Sequence, residues 1–434
     1  MHKHPDAGRI VHAERHVTYS KNKTKNYPQS NKNHTKLYLG GNSDMREAAI
    51  VAAVRLPVGR VGGALKSFRP EKLGGMIIKE AVKRSGIDPE IIDEVIFCDC
   101  DNEDLKIAGR VVLLEAGLPY TIPAYQIQRG CASSLTAVWD ATMMIKCGFA
   151  DTIVCGGCES TTFAPYLMNK PTRAYSQMPM PWADPVFSPK EPYGNLANGP
   201  TAEEIARRFD ITREQCDEFA VESHRKGSVA YQNHYFDSQI LPVEVPLKGG
   251  KTMIFDRDEP LRDDCNMETL SKLRPSFQKD GVCTAGNSSP LVDGASCVIV
   301  MEREKAESLG LDIIAVVEDF ADAGCEPMIM GEGPVHACRK LFKKTGLTMD
   351  DIDLVELNEA FAAQSIRCVR ELNIPPEKLN VNGGAIALGH PFAATGTILV
   401  TKIVHEMRRR DANRGIVTFC VGGGLGAAML IKRP

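Results

Sequence analysis

The chain has 434 residues, 43% of them hydrophobic and 25% charged, which suits a globular enzyme of two or three domains or one large duplicated one. A formal net charge of −3 excludes the basic footprint of a nucleic-acid or anionic-membrane binder, and no apolar run reaches the ~20 residues that a membrane span needs. Fourteen scattered cysteines, many inside apolar stretches such as Val95-Ile96-Phe97-Cys98, read as free thiols of a reducing, cytoplasmic compartment rather than as a disulfide framework.

Residues 1–44 are rich in Lys, Asn and His and poor in apolar residues, so they are expected to be a disordered extension upstream of a start at Met45. They lack both the apolar core of a secretory signal and the Arg-rich pattern of a transit peptide. From Glu47 onward, strand and helix signals alternate. Ala48 to Val54 reads as a strand buried on both faces, and residues 71–85 as a helix closed by Gly86. Strands are expected at Asp93 to Cys98, Tyr125 to Gln128 and Asp151 to Cys155, the last stopped by Gly156-Gly157. Helices are expected at Gly109 to Ala116 and Ser133 to Cys147. Eight prolines between Pro165 and Pro200 mark a loop of functional rather than structural length. Two amphipathic helices follow, Thr201 to Phe209 and Arg213 to Asn233, each opened by a capping Thr.

The chain then returns to buried strand at Ala295 to Val300 and repeats itself. Lys83 to Phe97 aligns without a gap on Lys343 to Leu357, 260 residues later. Strands are expected again at Ile313 to Phe320, Leu354 to Leu357 and Gly415 to Cys420, with helices at Val335 to Thr345 and Thr395 to Met407. Alternation over this length means an α/β fold with mostly parallel sheets, and two similar halves suggest two stacked layers. With a one-residue slip, the repeat sets Gly130-Cys131 against Gly389-His390. A duplicated fold would bring that cysteine and that histidine together at its centre.

Four segments could carry chemistry. Cys131 is placed where a strand gives way to a helix, and a helix N-terminus stabilises a thiolate; a buried structural cysteine is the plainer alternative. His390 follows a glycine-rich approach, with Pro391 suited to the first turn of a helix; it could equally cap a turn. Asn358 directly follows a strand, where it could cap a helix or orient a water. Cys420-Val421-Gly422-Gly423-Gly424 ends what reads as the last strand, and its glycines could free amides for an oxyanion or simply make a turn. Cys155-Gly156-Gly157-Cys158 lacks a second pair at zinc spacing and closes a strand, so neither a metal site nor a redox motif is expected. Gly383-Gly384 and Gly422 to Gly426 do not match a dinucleotide fingerprint, and NAD is not expected.

Together these segments resemble the thiolase family from about Arg46 to the C-terminus. The resemblance rests on Arg46 to Gly59, Gly156-Gly157-Cys158-Glu159-Ser160, Leu273-Arg274-Pro275 and Thr284 to Ser289 followed by Asp293-Gly294-Ala295. It rests above all on four blocks in order: Cys131, Asn358-Glu359-Ala360-Phe361, Gly389-His390-Pro391 and Cys420 to Gly424. The resemblance implies a duplicated α-β-α-β-α layered fold with an inserted loop domain. It divides the chain into 45–163 with 284–307, a loop domain at 164–283 that forms the CoA and acyl pocket, and a second half at 308–434.

By the same resemblance Cys131 is the nucleophile, His390 its base, and Cys420 the group that exchanges a proton with the α-carbon. Asn358 holds a water that forms one oxyanion hole with His390, and the amides of Cys131 and Gly422 form another. Ser289 lies along the pantetheine, and Arg262 lies near the CoA nucleotide. Acyl-CoA and CoA are the implied partners, with CoA a co-substrate, no further cofactor, and a homodimer or homotetramer as the assembly. The alternatives are a decarboxylating ketosynthase-type enzyme, which commonly has a second histidine where Asn358 stands, and an inactive thiolase-like scaffold. Three departures bear on the loop domain and the acyl pocket and leave the acyl chain length open, one of them the proline-rich stretch 171–192, which matches no family pattern. Asn198 replaces the common Met of Met-Gly-x-Thr-Ala-Glu, and Phe392-Ala393-Ala394 follows His-Pro in place of Leu-Gly-Ala.

Overall fold

The computed structural model describes residues 46–171, 190–193 and 196–434. The expected disordered extension, residues 1–44, lies outside the described residues, as do 172–189 of the expected proline-rich loop. In chain order the first half holds β1 (Ala48–Arg55), β2 (Gly59–Arg60), α1 (Pro70–Ser85), β3 (Glu94–Cys98), α2 (Ala108–Glu115), β4 (Ala124–Tyr125), α3 (Ser133–Lys146) and β5 (Thr152–Ser160). An excursion follows: α4 (Lys190–Tyr193), α5 (Asn198–Arg208), α6 (Arg213–Gln232), the hairpin β6 (Val243–Pro246) and β7 (Thr252–Phe255), and α7 (Met267–Ser271). The chain then returns through β8 (Val292–Glu302) and α8 (Arg303–Ser308). The second half is β9 (Ala315–Gly324), α9 (Gly333–Thr345), β10 (Leu354–Leu357), α10 (Ala362–Leu372), α11 (Ala385–Leu388), α12 (Thr395–Arg410), β11 (Arg414–Val421) and β12 (Leu425–Lys432).

The 260-residue repeat is a structural one. α1 ends at Gly86 with φ +72°, and α9 ends at Gly346 with φ +77°; both glycines sit in the left-handed region that closes a helix. Each is followed by a short 3-10 turn and then by an edge-side strand, β3 or β10. Asp93 accepts hydrogen bonds from the amides of Asp151 and Thr152, and its counterpart Asp353 accepts from those of Asn413 and Arg414. Val95 pairs in parallel with Ala124, and Val355 with Leu379. The sheet order among the described residues mirrors itself as well. From one edge it reads β4-β3-β5-β8-β1, and from the other β10-β11-β12-β9, the two halves meeting where Ala48 to Ile50 pair with Ala315 to Val317.

Alternate strand residues point to opposite faces, so each strand feeds two layers. Val95 and Phe97 pack outward under α1 and α2, while Ile96 and Cys98 face inward. In the second half Val355 and Leu357 face outward toward α9 and α10, and Leu354 faces inward. The inner faces of both halves share one core with α3 and α12. These two helices are buried on most sides, as a central layer requires. They touch closely: a Cβ on Gly396 of α12 would stand 2.1 Å from the Leu135 amide nitrogen of α3. The result is the expected α-β-α-β-α arrangement, with α3 and α12 set side by side in its central layer.

Several expectations change. The sheet is mixed rather than mostly parallel: among the described strands β3 pairs in parallel with β4 and β5, and β10 with β11, while the other pairings are antiparallel, because the central strands β1, β8, β9 and β12 run against their neighbours. β5 does not stop at Gly156-Gly157 but runs on to Ser160. The glycines serve close packing, since a Cβ on Gly157 would stand 2.1 Å from the Ala393 carbonyl oxygen. The strand expected at Tyr125 to Gln128 is only Ala124–Tyr125. α5 begins at Asn198 with no side-chain cap, and Thr201 instead donates within the first turn to the Asn198 carbonyl. Thr212 does cap α6, through a capping box with Gln215. Pro391 does not open α12, which starts at Thr395; the Pro391 carbonyl accepts from the Ala394 and Thr395 amides. Cys420 lies one residue before the end of β11, which is not the last strand but turns back as a β11–β12 hairpin.

Candidate active site

Cys131 stands one residue before Ala132, the N-cap of α3, and His390 lies between α11 and α12. Cys420 is the penultimate residue of β11, and Gly422 is in the turn that follows. All four line a single cavity of about 370 Å³, together with Ser289. The two residues that the repeat matched therefore meet. Cys131, His390, Cys420 and Asn358 are 8%, 2%, 1% and 0% exposed, so the chemistry is shielded from bulk water.

The turn that presents Cys131 is tied by Ser133, whose hydroxyl donates to the Gly130 carbonyl (2.7 Å) and accepts from the Arg129 amide (2.8 Å). A helix N-terminus was expected to make this thiol acidic. Burial instead pushes its pKa up to about 12, and the nearby carboxylates of Asp101 and Glu159 add to the rise. The backbone amides of Cys131 and Gly422 bond the sulfur and pull the other way, without overcoming desolvation. The Cys420 thiol is likewise held well above its usual range, by burial first and by Cys131 second.

His390 is buried without a charged partner, and desolvation lowers its pKa to about 3. It is a neutral imidazole. Its Nδ1 lies 2.7 Å from the Thr395 hydroxyl, and Asn358 Nδ2 donates to its Nε2 at 3.3 Å. Asn358 is thus not a helix cap; α10 begins at Ala362, with Phe361 as its N-cap. The Asn358 amide oxygen is buried and has no hydrogen-bond partner among the described residues.

Two carboxylates missed by sequence reasoning set this geometry. Glu159 of β5 accepts from the amides of Asp101 and Ala393, both at 3.0 Å, tying the first half to the loop after His390. Glu359 accepts from Ser223 (2.7 Å), Asn380 (2.7 Å) and the Ile386 amide (3.2 Å), which fixes the loop leading to His390. Burial holds both carboxyl groups above their usual pKa. The signal for them was a carboxylate inside an otherwise apolar block, directly beside Asn358 in the second case.

Ser289 is half-buried on the cavity wall, its hydroxyl donating to the Ala360 carbonyl at 3.1 Å. Arg262 is not brought to the cavity; it is exposed, with its backbone amide donating to His224. Cys155 and Cys158 face opposite layers of the sheet, Cys155 the inner core and Cys158 the outer, so they cannot act as a pair. No cluster of His, Cys, Asp and Glu among the described residues is arranged to hold a metal ion. No helix among them is long and apolar enough to cross a membrane.

Comparison with known proteins places this arrangement. The family models described as thiolase, N-terminal domain and thiolase, C-terminal domain match residues 48–304 and 311–433. The acetyl-CoA acetyltransferase of Chromobacterium violaceum is 40% identical over 396 residues, covering 89% of this chain and 100% of the relative. The 3-ketoacyl-CoA thiolase of Bacillus subtilis is 42% identical over 400 residues, covering 88% and 98%. The crystal structure of human mitochondrial 3-ketoacyl-CoA thiolase in complex with CoA superposes with a TM-score of 0.82 at 35% identity, covering 90% of this chain and 98% of that one. With both domains matched in order and the paired cysteine and histidine meeting at the centre of the duplication, the chain belongs to the thiolase family of acyltransferases.

Proposed function

We propose that the enzyme makes and breaks the carbon–carbon bond next to a CoA thioester, by Claisen condensation of two acyl-CoA molecules or thiolysis of a 3-ketoacyl-CoA, through an acyl thioester on Cys131. The observation that carries this reading is the convergence of Cys131, His390, Cys420 and Gly422 on one buried cavity, with the Asn358 amide on the imidazole. In thiolysis His390 takes the Cys131 proton as the sulfur attacks the 3-keto carbon. The amides of Cys131 and Gly422 and a water held by Asn358 and His390 supply the oxyanion contacts. The C2–C3 bond breaks, Cys420 protonates the departing enolate, and CoA then takes the acyl group from Cys131. Condensation is the reverse.

Acyl-CoA is the substrate and CoA the co-substrate, and the residues present supply the nucleophile, base and acid without a further cofactor. Ser289 lies along the pantetheine, and Arg262 serves the nucleotide end at the protein surface. The partition into 45–163 with 284–307, a loop domain at 164–283 and a second half at 308–434 goes with this reading, as do a homodimer or homotetramer and a cytoplasmic location. The relatives named above are an acetyltransferase and a thiolase, which favours this over a decarboxylating enzyme or an inactive scaffold.

Intact mass with peptide mapping after brief incubation with acetyl-CoA tests it. An acetyl increment on the Cys131 peptide, absent from a Cys131→Ala control, is the expected result. Absence of any increment with acetyl-CoA, longer acyl-CoAs and a 3-ketoacyl-CoA would overturn the reading.

A further inference from the structure

We propose that the acyl group preferred by this cavity carries a hydroxyl, which donates a hydrogen bond to Asn198 and has Ser288 as its second polar contact. The proposal rests on the thiolase reading above and names its substrate class. Most of the cavity wall is apolar, with Phe277, Phe361, Phe392 and Met330 among its residues. Two polar atoms break that wall. Asn198 Oδ1 and Ser288 Oγ are both buried without a hydrogen-bond partner among the described residues, and both residues line the cavity that holds Cys131, His390 and Cys420.

Buried polar atoms are almost always paired, because an unpaired one forfeits its hydration. Two such atoms on residues that line one cavity therefore point to a partner brought by the substrate. Asn198 is not free to turn away to solvent with its helix. The Thr201 hydroxyl holds its carbonyl at 2.8 Å, and the next residue, Gly199, sits so tightly on Phe277 that a Cβ would lie 2.2 Å from the ring.

The chemistry of the two atoms selects the substrate group. An amide oxygen only accepts, so its partner must donate; a serine hydroxyl can do either. A substrate hydroxyl donates once and accepts as well, which satisfies both. A carboxylate has no proton to donate, and no Lys or Arg among the described residues lines the cavity to offset its charge. An unsubstituted alkyl chain leaves both atoms unpaired. Discrimination by a site built to bond a hydroxyl is steep, whereas a methylene more or less changes little.

The test is the rate of Cys131 acylation, read by peptide mass, for pentanoyl-CoA, its 3-, 4- and 5-hydroxy derivatives and glutaryl-CoA, in the wild type, Asn198→Leu and Ser288→Ala. Thermal unfolding of each variant checks the fold. At least one hydroxyacyl-CoA is expected to acylate about 10-fold or more faster than pentanoyl-CoA, and that preference is expected to collapse in Asn198→Leu and shrink in Ser288→Ala. The proposal is overturned if pentanoyl-CoA or glutaryl-CoA equals or exceeds every hydroxyacyl-CoA in the wild type, or if the preference survives in folded Asn198→Leu. Failure of every thioester, acetyl-CoA included, to modify Cys131 overturns the thiolase reading itself and this proposal with it.

Discussion

Thr395 sets the tautomer of His390. The Thr395 hydroxyl has one proton, and it donates that proton to the Pro391 carbonyl at 2.7 Å. Its 2.7 Å contact with His390 Nδ1 must then be an N–H donating to the hydroxyl oxygen, which leaves Nε2 unprotonated, with a lone pair that accepts. Nε2 is the atom that receives the Asn358 amide, and it is the atom through which the proposed mechanism has His390 act as base. Thr395→Val keeps the shape but removes the acceptor. We expect kcat/KM to fall about 10- to 100-fold with a small change in thermal midpoint, part of the ~10²–10⁴ that a positioned base contributes. Steady-state kinetics beside thermal unfolding separates this from a loss of fold.

The free enzyme should hold Cys131 as a thiol and His390 as a neutral imidazole, because burial drives their pKa values in opposite directions, to about 12 and about 3. The thiolate is the reactive form. Alkylation of Cys131 by iodoacetamide, followed by peptide mapping, should therefore still be rising at pH 9. A plateau near neutrality would instead reveal a standing thiolate–imidazolium pair. Cys147, the exposed cysteine among the described residues, provides the internal reference.

Much of this architecture was legible because it is written in repeated local pattern. The offset of 260 residues located both copies of the helix–turn–strand unit, and β10 at Leu354–Leu357 was read to the residue. The pairing of Cys131 with His390 also followed from it. What local pattern could not reveal was close approach between distant segments. Gly156-Gly157 read as a stop because glycine ends strands on average, yet here it admits the Ala393 backbone against β5. The acidity of Cys131 was misjudged for a related reason: helix position is local, whereas desolvation belongs to the assembled core. Glu159 acts through partners far along the chain, Thr395 through the turn geometry after His390, and Asn198, visible in the sequence only as a departure, through an orphaned atom; a lone polar residue carries no periodic signature.

The excursion between β5 and β8 is pinned to the first half by a buried ion pair. Arg55 of β1, 1% exposed, donates to both carboxylate oxygens of Asp258 at 2.8 and 3.0 Å and to Gln239 at 2.9 Å. Asp258 also accepts from the Val58 amide at 2.8 Å. Asp258→Ala leaves a guanidinium buried without its counter-ion. The expected loss is about 3–5 kcal/mol of unfolding free energy, measurable by urea titration. A loss within 1 kcal/mol would mean that water reaches Arg55.

Acid should destabilise the fold through His390 in a window set by its two pKa values. In the unfolded chain the imidazole takes a proton near pH 6.5, whereas in the native state burial delays protonation to about pH 3. Between those values the unfolded state binds more protons, so stability falls as pH falls, reaching a deficit of about 3 kcal/mol at pH 4 from this group alone. The buried carboxyl groups of Glu159 and Glu359, whose pKa values are raised, act with the opposite sign, since their native forms favour the proton. The contribution of His390 must therefore be isolated by difference. His390→Gln cannot be protonated, so the unfolding free energy of the wild type relative to this variant should decline steadily from pH 7 to pH 4. A difference that stays flat across that interval would place the imidazole in contact with solvent or with a negative charge, contrary to the buried, uncharged surroundings that keep it neutral.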